Sequence, residues 1–117
     1  MSLASEALRR AVIQRAGARC EYCLLTSLFQ VGGFELDHIQ PISRGGPTTL
    51  ENLAFACPVC NGAKLNHTVG HDAMTNENVA IFNPRQQNWH DHFQWSLDVS
   101  FEIVGKTSCG RATVQRL

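Results

Sequence analysis

Leu8, Ala11, Val12 and Ala16 recur at i, i+3, i+4 and i+8, the apolar stripe of an amphipathic helix. The pattern predicts a helix over residues 3–16, with Gly17 suited to the left-handed turn past its end. From residue 34 the period shortens. Phe34-Glu35-Leu36-Asp37-His38-Ile39 alternates as a short strand does, and Pro41 stops it. Residues 43–49 hold two glycines and a proline, which predicts an irregular loop. Residues 53–56 read as the returning strand. Cys57-Pro58 suits a helix start, because proline at the first helical position loses no needed donor, and the helix is expected to run over residues 58–66. Beyond residue 67 the chain is polar and turn-rich through Asn78, with a short extended piece at Val79, Ile81 and Phe82. Asn83-Pro84 is expected to open a helix to about residue 94, with Trp89 and Phe93 on one face. Val99, Phe101 and Ile103 alternate as a strand over residues 97–104, and residues 108–117 suggest a terminal helix. The class is α+β, with no internal repeat.

Length and charge narrow the picture. A chain of 117 residues predicts a single domain over 1–117, here a core over 18–67 and a C-terminal extension over 68–117. Ten Lys plus Arg balance ten Asp plus Glu, so global attraction to nucleic acid is absent and binding would need a local basic surface. Arg9, Arg10, Arg15 and Arg19 concentrate near the N-terminus and read first as a solvated helix face. No apolar run is long enough to span a membrane. The first residues lack the apolar core of a secretory signal, which gives a cytoplasmic expectation.

The cysteines change the picture more. Cys20-x2-Cys23 and Cys57-x2-Cys60 are two knuckles, each able to turn both sulfurs toward one ion. Together they close a tetrahedral Zn2+ shell, so that metal would be structural rather than catalytic. Two disulfides or buried free thiols are the alternatives, the disulfides disfavoured in a reducing compartment. Such a zinc contributes on the order of 10–16 kcal/mol in small peptides. Cys109 is left over and reads as a small packing residue.

Between the knuckles lie Asp37, His38, Asn52 and, just after the second, Asn61. A strand–loop–strand–helix unit folds back on itself and can bring Asp37, His38 and Asn61 together. A carboxylate and an amide oxygen are hard ligands for Mg2+ or a similar ion, and a neutral imidazole suits a general base. Adjacent strand residues face opposite ways, so Asp37 and His38 can share a site only if the strand ends or bends there.

The stretch from Cys20 to Lys64 resembles the HNH endonucleases of the ββα-metal (His-Me finger) class. It carries Cys-x2-Cys, Leu36-Asp37-His38-Ile39-x-Pro41, Ser43-x-Gly45-Gly46, Glu51-Asn52-Leu53 and Cys57-Pro58-x-Cys60-Asn61 with Lys64. His38, Asn52 and Asn61 would be the name-giving positions, the last an Asn where many members have His. Asp72-x2-Thr75-x-Glu77, Ile81-Phe82-Asn83-Pro84-Arg85, Trp89 and His92-Phe93 are similar to small stand-alone bacterial members, although Ala73 and Asn76 stand where Pro and Gly are usual.

The resemblance implies a ββα-metal finger stapled by the four cysteines, flanked by an N-terminal helix and a helix and strand extension. It implies metal-dependent hydrolysis of DNA phosphodiesters, and the small number of available cations predicts weak binding of low sequence specificity. His38 would be the general base. Asp37 and Asn61 would hold one Mg2+, Mn2+ or similar ion, and Asn52 would tie the loop that aims His38 without touching substrate. Lys64 and Arg44 would contact nucleic acid, with a solvated role as the alternative for each. His67 and His71 read as loop histidines before substitute ligands. Trp89 and Phe93 read as core, His90 and His92 as surface or packing residues, and Arg85 as a partner of an acid or a phosphate. The competing readings are a zinc-stapled nucleic-acid-binding module without catalysis and a protein-interaction zinc finger. Oligomeric state stays open.

Overall fold

The computed structural model describes residues 4–28, 33–98 and 102–117. They fall into two compact units, Met1–Asn66 and His67–Leu117, described in turn. Among the described residues no helix is long and apolar enough to cross a membrane.

The first unit opens with α1, Glu6–Ala16. Ser5 caps it, its Oγ accepting from the Leu8 amide at 3.1 Å. Gly17 ends it at φ +64°, where its N–H returns to Gln14 and that of Ala18 to Ile13. Val12 is the helix's fully buried residue. Two of the arginines expected on a solvated face instead fasten α1 to the rest of the unit. Arg9 Nη2 donates to the Phe34 carbonyl at 3.1 Å, and Arg15 reaches the carbonyls of Leu50 (2.7 Å) and Leu53 (2.5 Å).

β1 (Glu35–His38) and β2 (Leu53–Ala56) pair antiparallel, with Asp37 opposite Ala54 and His38 opposite Leu53. All four β2 residues are buried. One reason is α1, which packs on β2. The other is the first knuckle: Glu21 Oε2 accepts from the Phe55 amide at 2.7 Å, and the Glu21 amide donates to the Phe55 carbonyl at 2.8 Å. The strands' link is more ordered than its glycines suggested. Single 3-10 turns occupy Ile42–Arg44 and Leu50–Asn52. Gly46 is required there, because an added Cβ would lie 1.7 Å from the Gln40 carbonyl oxygen. The α2 helix, Pro58–Lys64, starts with Pro58 in its first turn as expected, and Cys57 is its cap.

The second unit departs further from expectation. The segment read as polar loop is a hairpin, β3 (Val69–Asp72) with β4 (Glu77–Ala80). Its strands lack apolar alternation because their stability comes from elsewhere: α4 (Ser108–Arg116) lies on β3. The contact is backbone-close, since a Cβ on Gly70 would stand 2.4 Å from the Ala112 carbonyl oxygen. Asn76 turns the hairpin at φ +58°, a conformation asparagine tolerates nearly as glycine does. The helix expected from Asn83 to about residue 94 is one turn, α3 (Trp89–His92), followed by β5 (Phe93–Trp95). β5 pairs with β6 (Ile103–Gly105), an antiparallel pairing that overrides the helical spacing of Trp89 and Phe93. Val99 and Phe101, part of the expected 97–104 strand, lie outside the described residues. Phe82, Trp89 and Phe93 form the aromatic core, with ring centroids 5.2 Å apart in the Phe82–Phe93 and Trp89–Phe93 pairs.

Candidate metal centre and cleft

The four paired cysteines converge. The sulfurs of Cys20, Cys23, Cys57 and Cys60 all lie within 4.8 Å of one another, and none is in a disulfide. The Cys23–Cys57 separation is 3.7 Å. A tetrahedron with Zn–S bonds of about 2.3 Å has edges of about 3.8 Å, so the cluster fits such an ion. The Cys60 amide donates to Cys57 Sγ at 3.3 Å. Hydrogen bonds from Cys23 and Cys60 pull the Cys20 thiol down, while the same contacts push Cys60 up and carry Cys23 to about 12. Crowded thiols cannot all ionise alone; a divalent cation lets them.

Beside this centre, β1, the following turn and α2 enclose an open cleft of about 380 Å³. Asp37, His38 and Asn61 line it together with Pro41, Ile42 and Ser43. The alternation problem is met by the strand ending at His38. Asp37 is buried and His38 half-buried, yet both reach the cleft wall.

His38 Nε2 lies 2.8 Å from Thr48 Oγ1. With Nε2 protonated, Thr48 fixes the ring and leaves Nδ1 with a free lone pair. Asn52 is bound to the loop: Oδ1 accepts from the Gln40 amide at 2.9 Å, and Nδ2 donates to the carbonyls of Gln40 (3.0 Å) and Pro47 (2.8 Å). These bonds brace the segment that carries Thr48. Asp37 accepts from Tyr22 Oη at 2.6 Å and from Lys64 Nζ at 3.2 Å. Burial still pushes its carboxyl above the usual range, against the opposing pull of Tyr22 and Lys64. A buried carboxylate with acceptor capacity left over, facing a cleft shared with an amide side chain, fits a hard divalent cation.

Several residues stand elsewhere than expected. Lys64 is not at a surface where phosphate could reach it; it is 1% exposed and paired with Asp37. Its aliphatic stem and position on α2 carry it inward. Arg44 is exposed on the loop. His71 Nδ1 lies 3.1 Å from Asn78 Oδ1 across the hairpin, and His67 is half-buried in the second unit. His92 lies between Thr107 (2.7 Å) and Gln87 (3.3 Å), with Cys109 on Gln87. The Arg85 amide donates to Asn83 Oδ1 at 2.9 Å. Sequence reasoning missed Tyr22 and Thr48. Tyr22 sits between two cysteines and Thr48 in a glycine-rich loop, and neither has a spacing that marks it.

No curated protein matches the chain. Residues 20–67 match the family model of the HNH endonucleases, a span that holds both knuckles, β1, β2, α2 and the cleft. The chain thus carries an HNH endonuclease domain, a nuclease-type domain, over residues 20–67.

Proposed function

We propose that this domain hydrolyses DNA phosphodiester bonds in a reaction that depends on a divalent metal. What carries the reading is one observation: within the HNH match, an imidazole, a buried carboxylate and an amide line a single cleft. His38 takes a proton from water at Nδ1, with Thr48 holding the ring. The water oxygen bonds to phosphorus, the P–O3′ bond breaks, and the 3′ oxygen leaves with its electron pair to be protonated by solvent. The product is a 5′-phosphate. Asp37 and Asn61 would hold Mg2+, Mn2+ or a similar ion, which when bound supplies Lewis-acid stabilisation of the phosphoryl and leaving oxygens. Asn52 is a positioning residue, through the loop. The four cysteines hold structural Zn2+.

Substrate affinity rests on few cations. Arg9 and Arg15 donate to backbone carbonyls, and Lys64 is buried. Arg44 is exposed on the loop that follows Pro41. Weak binding with a shallow salt dependence and little sequence preference follows.

The test is nicking of supercoiled plasmid with Mg2+ or Mn2+, wild type against His38→Ala. The expected outcome is a loss of about 10²–10⁴ in rate with zinc content unchanged. Cleavage that survives both the substitution and chelation of the added metal would overturn the assignment. DNA binding without any cleavage by wild type would instead mark a zinc-stapled binding module.

A further inference from the structure

We infer that Tyr22, inside the first cysteine knuckle, is a positioning residue for the metal-binding carboxylate of Asp37, so that the structural metal centre aims the catalytic one. The inference rests on the reading of Asp37 as a ligand. Tyr22 lies between Cys20 and Cys23 and is 3% exposed. Its hydroxyl donates to Asp37 Oδ2 at 2.6 Å, the short distance of a charge-assisted bond. The second knuckle reaches the same group. Lys64 follows Cys60 on α2, and its ammonium lies 3.2 Å from each Asp37 oxygen and 3.3 Å from the His38 carbonyl.

Each knuckle therefore sends one side chain to one carboxylate. An ionised carboxylate has about four acceptor positions. Tyr22 takes one on Oδ2 and Lys64 takes one on Oδ1, with the Lys64 ammonium also at ion-pair distance from Oδ2. Each oxygen is thus held by a partner, which fixes the direction of the acceptor positions left for a metal ion. The carboxylate cannot rotate to follow an ion without breaking the Tyr22 bond. Partners of this kind typically govern metal affinity by 10–100-fold.

The experiment compares wild type, Tyr22→Phe and Asp37→Asn, each zinc-loaded, by titration with Mn2+ in a calorimeter. Tyr22→Phe removes one hydroxyl and no ring. The expected result is one zinc per chain in every variant, with Mn2+ affinity about 10–100-fold weaker in Tyr22→Phe and weaker again in Asp37→Asn. A Tyr22→Phe protein that binds Mn2+ as wild type does, while Asp37→Asn is weakened, overturns the tether alone. If Asp37→Asn also binds as wild type, Asp37 is no ligand, and the metal assignment of the proposed function falls with it. Should Tyr22→Phe not fold, the wild-type chain decides. Tyr22 is its single tyrosine, so 3-fluorotyrosine gives one 19F resonance. That resonance should shift with Mg2+ and saturate with the bound ion; a resonance that stays fixed while calorimetry registers binding overturns the inference.

Discussion

Each unit buries an aspartate beside a cation, and the two sites are built to opposite ends. Asp72 is fully buried, and its oxygens take a two-pronged contact from Arg111 at 2.8 and 3.0 Å. Thr75 Oγ1 (2.9 Å) and the Met74 amide (3.1 Å) complete the set. Arg111 first, then Thr75 and Met74, hold that carboxyl well below its usual range. Asp37 has two partners and is pushed the other way by burial. A guanidinium fork matches a carboxylate in shape, whereas an ammonium is a point charge that leaves acceptor positions open. The first arrangement is a saturated lock joining β3 to α4. The second leaves acceptor positions open on a buried, ion-paired carboxylate at the wall of a cleft, a condition that marks functional sites more often than structural ones.

Removal of zinc is the strongest way to separate the two. Zinc holds on the order of 10–16 kcal/mol in small peptides, comparable to the whole stability of a typical domain. A strong chelator should therefore abolish amide-exchange protection in β1, β2 and α2. The second unit owns none of the four clustered sulfurs. Protection in β3 and α4 is the internal reference, and equal loss in both units would break the comparison.

Substitution of the aspartates comes next. Asp72→Asn leaves Arg111 without its charged fork partner, and the melting temperature should fall by about 10 °C or more, while plasmid nicking per folded molecule is unchanged. Asp37→Asn keeps an oxygen for Lys64 but leaves that buried ammonium without its counter-charge. Its melting temperature should also fall, by about 10 °C or more, and here nicking per folded molecule should be lost and Mn2+ binding weakened. Reversed outcomes would mean that the lock and the ligand have been exchanged.

How much of this was readable in the chain depended on how locally each feature is determined. The knuckles, β1, β2 and α2 were legible because metal ligation and a turn impose fixed spacings on Cys20, Cys23, Cys57, Cys60, Asp37 and His38. Lys64 was misplaced because the same spacing puts a cation near the site without saying whether it faces phosphate or the interior. The Asp72–Arg111 lock spans 39 residues and has no periodic signal, so neither the hairpin it anchors nor the role of Arg111 could be read. Phe93 and Trp95 illustrate the remaining loss. The spacing of Phe93 from Trp89 fits a helix, and only pairing of residues 93–95 with 103–105 turns this segment into strand.

Asn52 offers a smaller test of the cleft side. Asn52→Ala removes three hydrogen bonds to the loop backbone, at a net cost of about 1–3 kcal/mol because that backbone can turn partly to water. Nicking should drop about tenfold with Mn2+ affinity nearly unchanged, since the residue acts on Thr48 and His38 rather than on Asp37. A parallel loss of Mn2+ binding would show that the loop braces the whole cleft.

The subtlest test is acidification, and its sign follows from the lock. Asp72 has a folded pKa below its unfolded value of about 3.9. Between those two values the unfolded chain binds the extra proton, so acid favours unfolding there. The contribution of Asp72 is thus fully present above about pH 4 and is lost as the pH falls toward the low folded value. Asp37 is not read this way, because a metal held by the four cysteines would be released by their protonation first. The measurement therefore uses amide exchange confined to α4, between about pH 5 and pH 2, in wild type and Asp72→Asn. Wild type should lose protection steeply below about pH 4 and the variant should start lower but decline less, because its amide has no proton to gain. Parallel curves would mean that Asp72 is not the group whose ionisation holds β3 to α4.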